Sequence, residues 1–288
     1  NDDTMVYALY TEGVRQGGLN RVRGEPMFGN SFDSDIMANH EIGYRSTFAN
    51  GSGRLNLTAY HMAWEDYQLR AVDPSFVTCP GDTTGDEKIP GVCGQPWQTL
   101  VQNLGDAHIS GFNVTVDYAP NDSWVFGMNY EIMEAETDTN HDLNDNGEFE
   151  ITKGLRLPIT PAYKASTWTE YNQPTNWFGA ERLFVRLQWS FTGDSTNTLQ
   201  FTDENDPNPQ FTNPAYDIGD IRVGIIGEDW QVDLFVNNVT DTRGQYNDSP
   251  SPYAWGSAQI AEGRDHSRSF YINRPREYGV RFMKRWGD

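Results

Sequence analysis

Near its C-terminus the chain reads Tyr278-Gly-Val-Arg-Phe-Met-Lys-Arg-Trp286, and the architecture follows from how this segment alternates. With a period of two, Tyr278, Val280, Phe282 and Trp286 share one face, interrupted by Lys284, while Gly279, Arg281, Met283 and Arg285 share the other. One apolar and one polar face, with an aromatic near the C-terminus, read as the closing strand of an outer-membrane β-barrel. In such a barrel one face meets lipid and the other a polar lumen.

The same alternation recurs upstream. Leu183, Val185, Leu187, Trp189 and Phe191 oppose Arg182, Arg186, Gln188 and Ser190. Phe112, Val114, Val116 and Tyr118 oppose Asn113, Thr115 and Asp117; Trp124, Phe126, Met128, Tyr130 and Ile132 oppose Gly127, Asn129 and Glu131. Trp230, Val232, Leu234 and Val236 oppose Gln231, Asp233 and Asn237. Period two sustained over neighbouring segments specifies strands and not helices. About ten strands are predicted on this pattern, at 4–13, 37–48, 54–70, 100–118, 122–136, 159–172, 178–192, 215–226, 229–239 and 274–286. Short turns at Ala49 to Gly53, Ala119 to Asp122, Gln173 to Trp177 and Gly227 to Asp229 carry the Gly, Pro, Asn and Asp of tight connections. Long loops near 14–36, 71–98, 137–157, 193–214 and 241–272 fall between them. Short periplasmic turns alternating with long external loops are the pattern of an outer-membrane barrel.

Composition fits. No apolar run approaches the roughly 18 residues of a spanning helix. A mean hydropathy of −0.68 is what alternation produces, since only every second strand residue is apolar. The 9 Trp, 14 Tyr and 15 Phe are enough to furnish aromatic girdles at both membrane interfaces. A net charge of −20 excludes nucleic acid as a partner, because phosphate neutralisation needs clustered Lys and Arg. The acids gather between the strands, at Asp82 to Glu87, Asp138 to Glu150 and Asp203 to Asp206, as solvated loops do. Cys79 and Cys93, in one Gly/Pro-rich stretch, read as a loop disulfide and not a metal site, which places the chain in an oxidising compartment. No signal peptide is visible before the first strand.

Several segments in order resemble the C-terminal half of the TonB-dependent outer-membrane receptors. Val6-Tyr-Ala-Leu-Tyr-Thr-Glu-Gly-Val-Arg-Gln-Gly-Gly-Leu-Asn20 resembles the family's tyrosine-rich strand and loop entry, and His40-Glu-Ile-Gly-Tyr-Arg-Ser46 its Glu-x-Gly-x-Lys/Arg strand. Leu55 to Tyr67 resembles the long strand that follows, and Asn103-Leu-Gly-Asp-Ala-His-Ile-Ser-Gly-Phe112 the Asn-x-Gly-x-Ala strand. Val236-Asn-Asn-Val-Thr-Asp241 and Arg274-Pro-Arg-Glu-Tyr-Gly-Val-Arg281 resemble its terminus, although Gly287 and Asp288 follow the aromatic that usually ends the family. The resemblance implies that residues 1–288 are the last ten or so strands of a 22-stranded barrel, in the outer membrane of a Gram-negative bacterium among lipid and lipopolysaccharide. It implies a plug domain and the remaining strands as partners, with TonB reached through the plug. The ligand it implies is a scarce small molecule, a ferric siderophore first, then haem, cobalamin or an oligosaccharide.

Candidate sites are few. Asp142-Leu-Asn-Asp-Asn-Gly-Glu-Phe-Glu150 has the spacing of a calcium loop: oxygens at Asp142, Asn144 and Asn146, a turn-forming Gly147, then Glu148 and Glu150, competing with a plain acidic loop. Lys153 stands where an EF-hand has its bidentate Glu. No other cofactor is implied. Loop aromatics Trp97, Tyr253 and Trp255 are candidates to stack on a ligand, against simple loop packing. Arg15, Arg21 and Arg23 in the first external loop are candidates for an anion, and the lumen-facing Arg182 and Arg186 for plug carboxylates. Enzyme signatures are absent, with no Gly-x-Ser-x-Gly and no His-Glu-x-x-His. Two other readings stay open. One is a ten-strand barrel acting as porin or protease, with Asp265-His266 as half of a base pair. The other is a secreted β-sandwich module, for which Asn50-Gly-Ser, Asn113-Val-Thr and Asn238-Val-Thr supply sequons.

Overall fold

The computed structural model describes residues 3–22, 29–72, 99–142, 151–197, 212–249 and 269–286, with Gly147, Phe149 and Leu199. Ten long strands carry the fold: β1 (Thr4–Arg15), β2 (Asp35–Phe48), β3 (Gly53–Glu65), β4 (Ala107–Asn121), β5 (Trp124–Thr137), β6 (Tyr163–Pro174), β7 (Arg182–Thr192), β8 (Tyr216–Ile226), β9 (Trp230–Asn237) and β10 (Glu277–Lys284). They form one ten-stranded sheet in sequence order, every neighbour antiparallel. A single sheet of this kind is not a sandwich, and that reading is overturned. Among the described residues β1 and β10 do not pair with each other, so the sheet is an open stretch of wall and not a closed ten-strand barrel.

Register turns the period-two pattern into two surfaces. Val6, Tyr44, Leu57, Val114, Tyr130 and Ala165 stand in one cross-strand row from β1 to β6. Leu187, Ile221, Val236 and Tyr278 form a similar row from β7 to β10. The opposite face reads Arg45, Asn56, Thr115, Asn129, Ser166 and Ser190 across β2 to β7. Apolar side chains on the first face remain uncovered, with Leu234 and Val280 60% and 66% exposed, which in water is a liability and in lipid is required.

The apolar band has the height of a membrane. From Trp124 to Ile132 the apolar face of β5 rises roughly 27 Å at about 3.4 Å per residue. At a tilt of about 40° that becomes roughly 21 Å of height, near the apolar band of barrels of this type. Beyond Ile132 the same face turns to Glu134 and Glu136, above the band. Aromatics gather on this face at the short-turn end: Trp124 lies 5.7 Å from Phe126 and 4.8 Å from Tyr171, and Phe48 lies 5.7 Å from Tyr118. Rings with an apolar body and polar edges suit that interface.

The closely packed apolar core lies elsewhere. Tyr67, Leu104, Ala107, Ala135, Ile151, Leu157 and Leu199 are buried together at the loop end, over the polar face, with Trp64 and Ile109 against them. Two predicted strands break there. Segment 54–70 bends at Asp66 (φ 52°) and resumes at Gln68–Val72, and 100–118 splits into Thr99–Asn103 and Ala107–Asn121 around Gly105 (φ 78°). Hydrogen bonds carry the hairpin through the corner, from Tyr67 N–H to Gly105 O (2.7 Å) and from Leu104 N–H to Tyr67 O (2.8 Å). A Cβ on Gly105 would sit 2.2 Å from Thr139 Oγ1, so both conformation and space demand glycine. The strand predicted from 178 begins at Arg182, because Trp177–Gly179 form a short 3-10 turn with Phe178 at φ 53°.

Leu234→Arg places a charge mid-band on the lipid face, and an expected cost of about 2–4 kcal/mol follows. Thr115→Arg, on the polar face, is expected to be near neutral. Urea unfolding of the protein in lipid vesicles measures both, and equal costs would contradict the face assignment.

Candidate functional site

The loop end of the sheet is knitted into a rim. At its first corner Asp35, which opens β2, is almost fully buried. Its carboxylate accepts both Nε (3.2 and 3.1 Å) and Nη2 of Arg15, the indole N–H of Trp64 (3.0 Å) and the backbone N–H of Gln68 (3.1 Å). Arg15 also donates to Gln68 O at 2.7 Å and stacks over the Trp64 ring at 5.4 Å. Asn20 clasps Val101 in both directions, at 2.8 and 2.9 Å. Asn103 receives the Asp33 N–H at 2.8 Å and donates to the carbonyls of Asp33 (3.1 Å) and Asp66 (2.8 Å). Asp106 N–H donates to Thr139 (2.9 Å), and Arg156 bonds Asp194 at 2.7 Å. The first four external connections are thus tied in series.

The predicted site residues distribute unevenly over this frame. Arg15 is the last residue of β1 and not a loop residue, and its guanidinium is engaged by Asp35. Arg21 is exposed in the first connection, and Arg23 lies outside the described residues. Trp97, Tyr253, Trp255, Cys79 and Cys93 also lie outside them, as do Asn144, Asn146, Glu148, Glu150 and His266. Asp142 accepts the Gly147 N–H at 2.7 Å, with Gly147 at φ 89°. The bond spans five residues, wider than the two of an Asx turn.

The polar face of β6 to β10 holds more than the sequence singles out. Arg186 Nη1 lies 3.4 Å from Glu170 and its guanidinium 4.4 Å over the Trp168 ring, while Arg182 stands exposed near the short turn. Arg186 pairs in register with Arg222, placing two cations directly across from one another. Asp233 on β9 is completely buried, bonded by Arg281 Nε and Nη2 at 3.1 and 3.0 Å and by Gln231 at 2.7 Å, with Arg222 Nε 3.5 Å away. Gly224 makes this possible, since a Cβ there would meet the Asp233 Cβ at 2.6 Å and the Phe184 ring at 2.7 Å. Only the strand register brings Asp233 and Arg281 together, so alternation alone offers no signal for the pair.

Asp35 stands at the loop end of a 14-residue strand, longer than the 9–11 residues that cross a bilayer. Burial pushes its carboxyl up, but the Arg15 hydrogen bond, the Gln68 N–H, the Arg15 charge and the Trp64 N–H together hold it below the usual carboxylate range. A carboxyl lowered by folding contributes stability above its ordinary value near 4. That stability is lost as pH falls through the lowered value. Asp35→Asn is expected to cost about 1.5 kcal/mol, the low end for a bond to a charged group because Arg15 is half exposed. The variant should also flatten the loss of stability as pH falls below the ordinary carboxylate value near 4, read as the urea midpoint in vesicles.

A family model described as "TonB dependent receptor-like, beta-barrel" matches residues 1–239. No curated protein matches the chain. Among solved structures, the ferric yersiniabactin uptake receptor of Yersinia pestis is similar at TM-score 0.66 and 20% identity, over 99% of this chain and 35% of its own. The ferric-catecholate import receptor Fiu of E. coli K12 is similar at TM-score 0.60 and 16% identity, over 98% and 33%. The pyoverdine outer-membrane receptor of Pseudomonas aeruginosa PAO1 is similar at TM-score 0.59 and 17% identity, over 100% and 34%. This chain therefore spans about a third of the length of these proteins. Family match, antiparallel meander and lipid-facing band agree: the chain belongs to the TonB-dependent receptors, as part of their β-barrel in the Gram-negative outer membrane.

Proposed function

We propose that this chain is the C-terminal wall of a receptor that captures a ferric siderophore at its external loops and imports it with energy delivered by TonB. The family match over residues 1–239 carries this reading. The similar structures support the ligand class, since their names specify ferric yersiniabactin, ferric catecholate and pyoverdine.

In this reading β1 and β10 are continued by further strands, since each unpaired backbone group facing lipid costs several kcal/mol. A plug domain fills the lumen and makes the contact with TonB, and lipid and lipopolysaccharide surround the apolar band. Capture belongs to the rim and the long loops above it, where Arg21 and the loop residues Arg23, Trp97, Tyr253 and Trp255 stand as ligand contacts. Arg15 serves the rim instead, locked to Asp35. The acidic loops repel an anionic chelate at long range, so close contacts and not steering must supply its affinity. The receptor family is one of transporters, and the reading assigns no catalysis.

Deletion of the gene under iron limitation should abolish uptake of one radio-iron siderophore, and dissipating the proton gradient should abolish it equally. Haem, cobalamin and an oligosaccharide run in parallel as competing ligands. Unchanged uptake of every iron chelate on deletion would sink the siderophore reading.

A further inference from the structure

On the outward face of β1 to β3 the apolar band ends in a hollow. Ala8, Ile42, Ala59, Phe112 and Ile132 stand in one cross-strand row at the upper edge of the band. Tyr10, His40, His61, Ser110 and Glu134 form the next row outward, the first polar one. A depression of about 640 Å³ straddles this boundary, with Ala8, Ile42 and Ala59 below and Tyr10, His40 and His61 above. Its size is that of a small-molecule cleft, and the two alanines leave it open where β4 and β5 carry Phe112 and Ile132. The polar half is ordered. The Tyr10 ring lies 5.0 Å from His40, and its hydroxyl donates to Glu12 at 3.0 Å. His61 Nδ1 is held by Ser110 Oγ at 2.8 Å. The row beyond reads Glu12, Ala38, Ala63, His108 and Glu136, so neither polar row contains a Lys or Arg.

We propose that this hollow binds one outer-leaflet lipid through its saccharide headgroup, with an acyl chain against Ala8 and Ala59 and the sugar against Tyr10, His40 and His61. This rests on the receptor reading, which puts the loop end in the outer leaflet; there the lipid is lipopolysaccharide, held at one site by its sugar and not merely surrounding the band. A hollow that passes from apolar to polar across the band edge fits an amphiphile lying along the strands. Sugar hydroxyls both donate and accept, which suits imidazole nitrogens, a tyrosine hydroxyl and the acceptor oxygens of Glu12 and Glu134. The rings of Tyr10 and His40 add an apolar body with polar edges for the sugar to lie against. A phosphate headgroup fits poorly, because its recognition calls for Arg or Lys and it would meet carboxylates here.

The test uses the receptor as extracted from the outer membrane, in a detergent without sugar. It is offered glucosyl diacylglycerol and phosphatidylglycerol with identical chains, and native mass spectrometry counts the lipids retained. One sugar lipid is expected to be held with a preference of about ten-fold, the worth of one or two hydrogen bonds. Ala59→Phe, which fills the hollow, should abolish that retention, and His40→Leu with His61→Leu should erase the preference. Val223→Phe, on the same face of β8, should change neither. Equal retention of the two lipids, a preference for phosphatidylglycerol, or a sugar preference that survives Ala59→Phe overturns the inference. Should the variants fail to assemble, the unaltered receptor serves, with a photo-crosslinker on the sugar headgroup. Label is then expected on the peptides holding Tyr10, His40 and His61, and label spread evenly around the wall overturns the inference. Siderophore uptake by the unaltered cells separates the two claims: intact uptake with unselective lipid retention sinks this inference alone, and absent uptake of every iron chelate sinks the receptor reading.

Discussion

A bilayer offers no hydrogen bonds, so every backbone N–H and C=O at membrane depth must find its partner in a neighbouring strand. That constraint sets the rest of this molecule. It explains why ten strands pair antiparallel in chain order, why the connections at one end shrink to tight turns, and why each strand presents alternate side chains to two unlike media. Both outer edges of the sheet, β1 and β10, fall under the same demand.

The arrangement inverts the usual distribution of apolar groups. The widest apolar surface lies open on one side of the sheet, and the tight core around Tyr67, Leu104, Ile151 and Leu199 sits where the external connections fold inward. That small core, with the Asp35–Arg15–Trp64 cluster and the Asn103–Asp33 clasp, converts separate loops into a joined rim. A receptor benefits from such a frame, because contacts held in place before a ligand arrives need no ordering when it binds. The inward face is built differently. Its arginines and buried Asp233 form a charge lattice held against the strands by glycines such as Gly224.

Much of this is legible in the sequence. All ten strands can be located, because an amphipathic strand writes its period directly into the chain, as Trp124 to Ile132 and Trp230 to Val236 do. Boundaries escape where backbone conformation and not hydropathy decides, at Asp66, Gly105 and Phe178, each with positive φ. The Asn103-Leu-Gly-Asp106 motif stands out only by resemblance, and the structure supplies its reason in the corner hydrogen bonds it makes. Arg15 reads as a loop residue because charge alone cannot show that the strand reaches its partner Asp35. Asp233 and Arg281 are 48 residues apart, and only pairing of β9 with β10 makes them neighbours. Long-loop residues carry no periodicity at all, so Trp97, Tyr253 and Trp255 rest on residue type alone.

If the two faces of this sheet meet lipid and lumen respectively, neighbouring residues of one strand must sense different media. Spin labels placed singly at Met128, Asn129, Tyr130 and Glu131, with Cys79 and Cys93 replaced by serine, read this out in reconstituted vesicles. Strict alternation is expected, with oxygen dissolved in the bilayer relaxing the labels at Met128 and Tyr130 and a water-soluble nickel chelate denied access to them. Labels at Asn129 and Glu131 should show the converse, or at least shielding from oxygen. Nickel access at all four positions, or no alternation between them, would rule out a membrane-spanning wall.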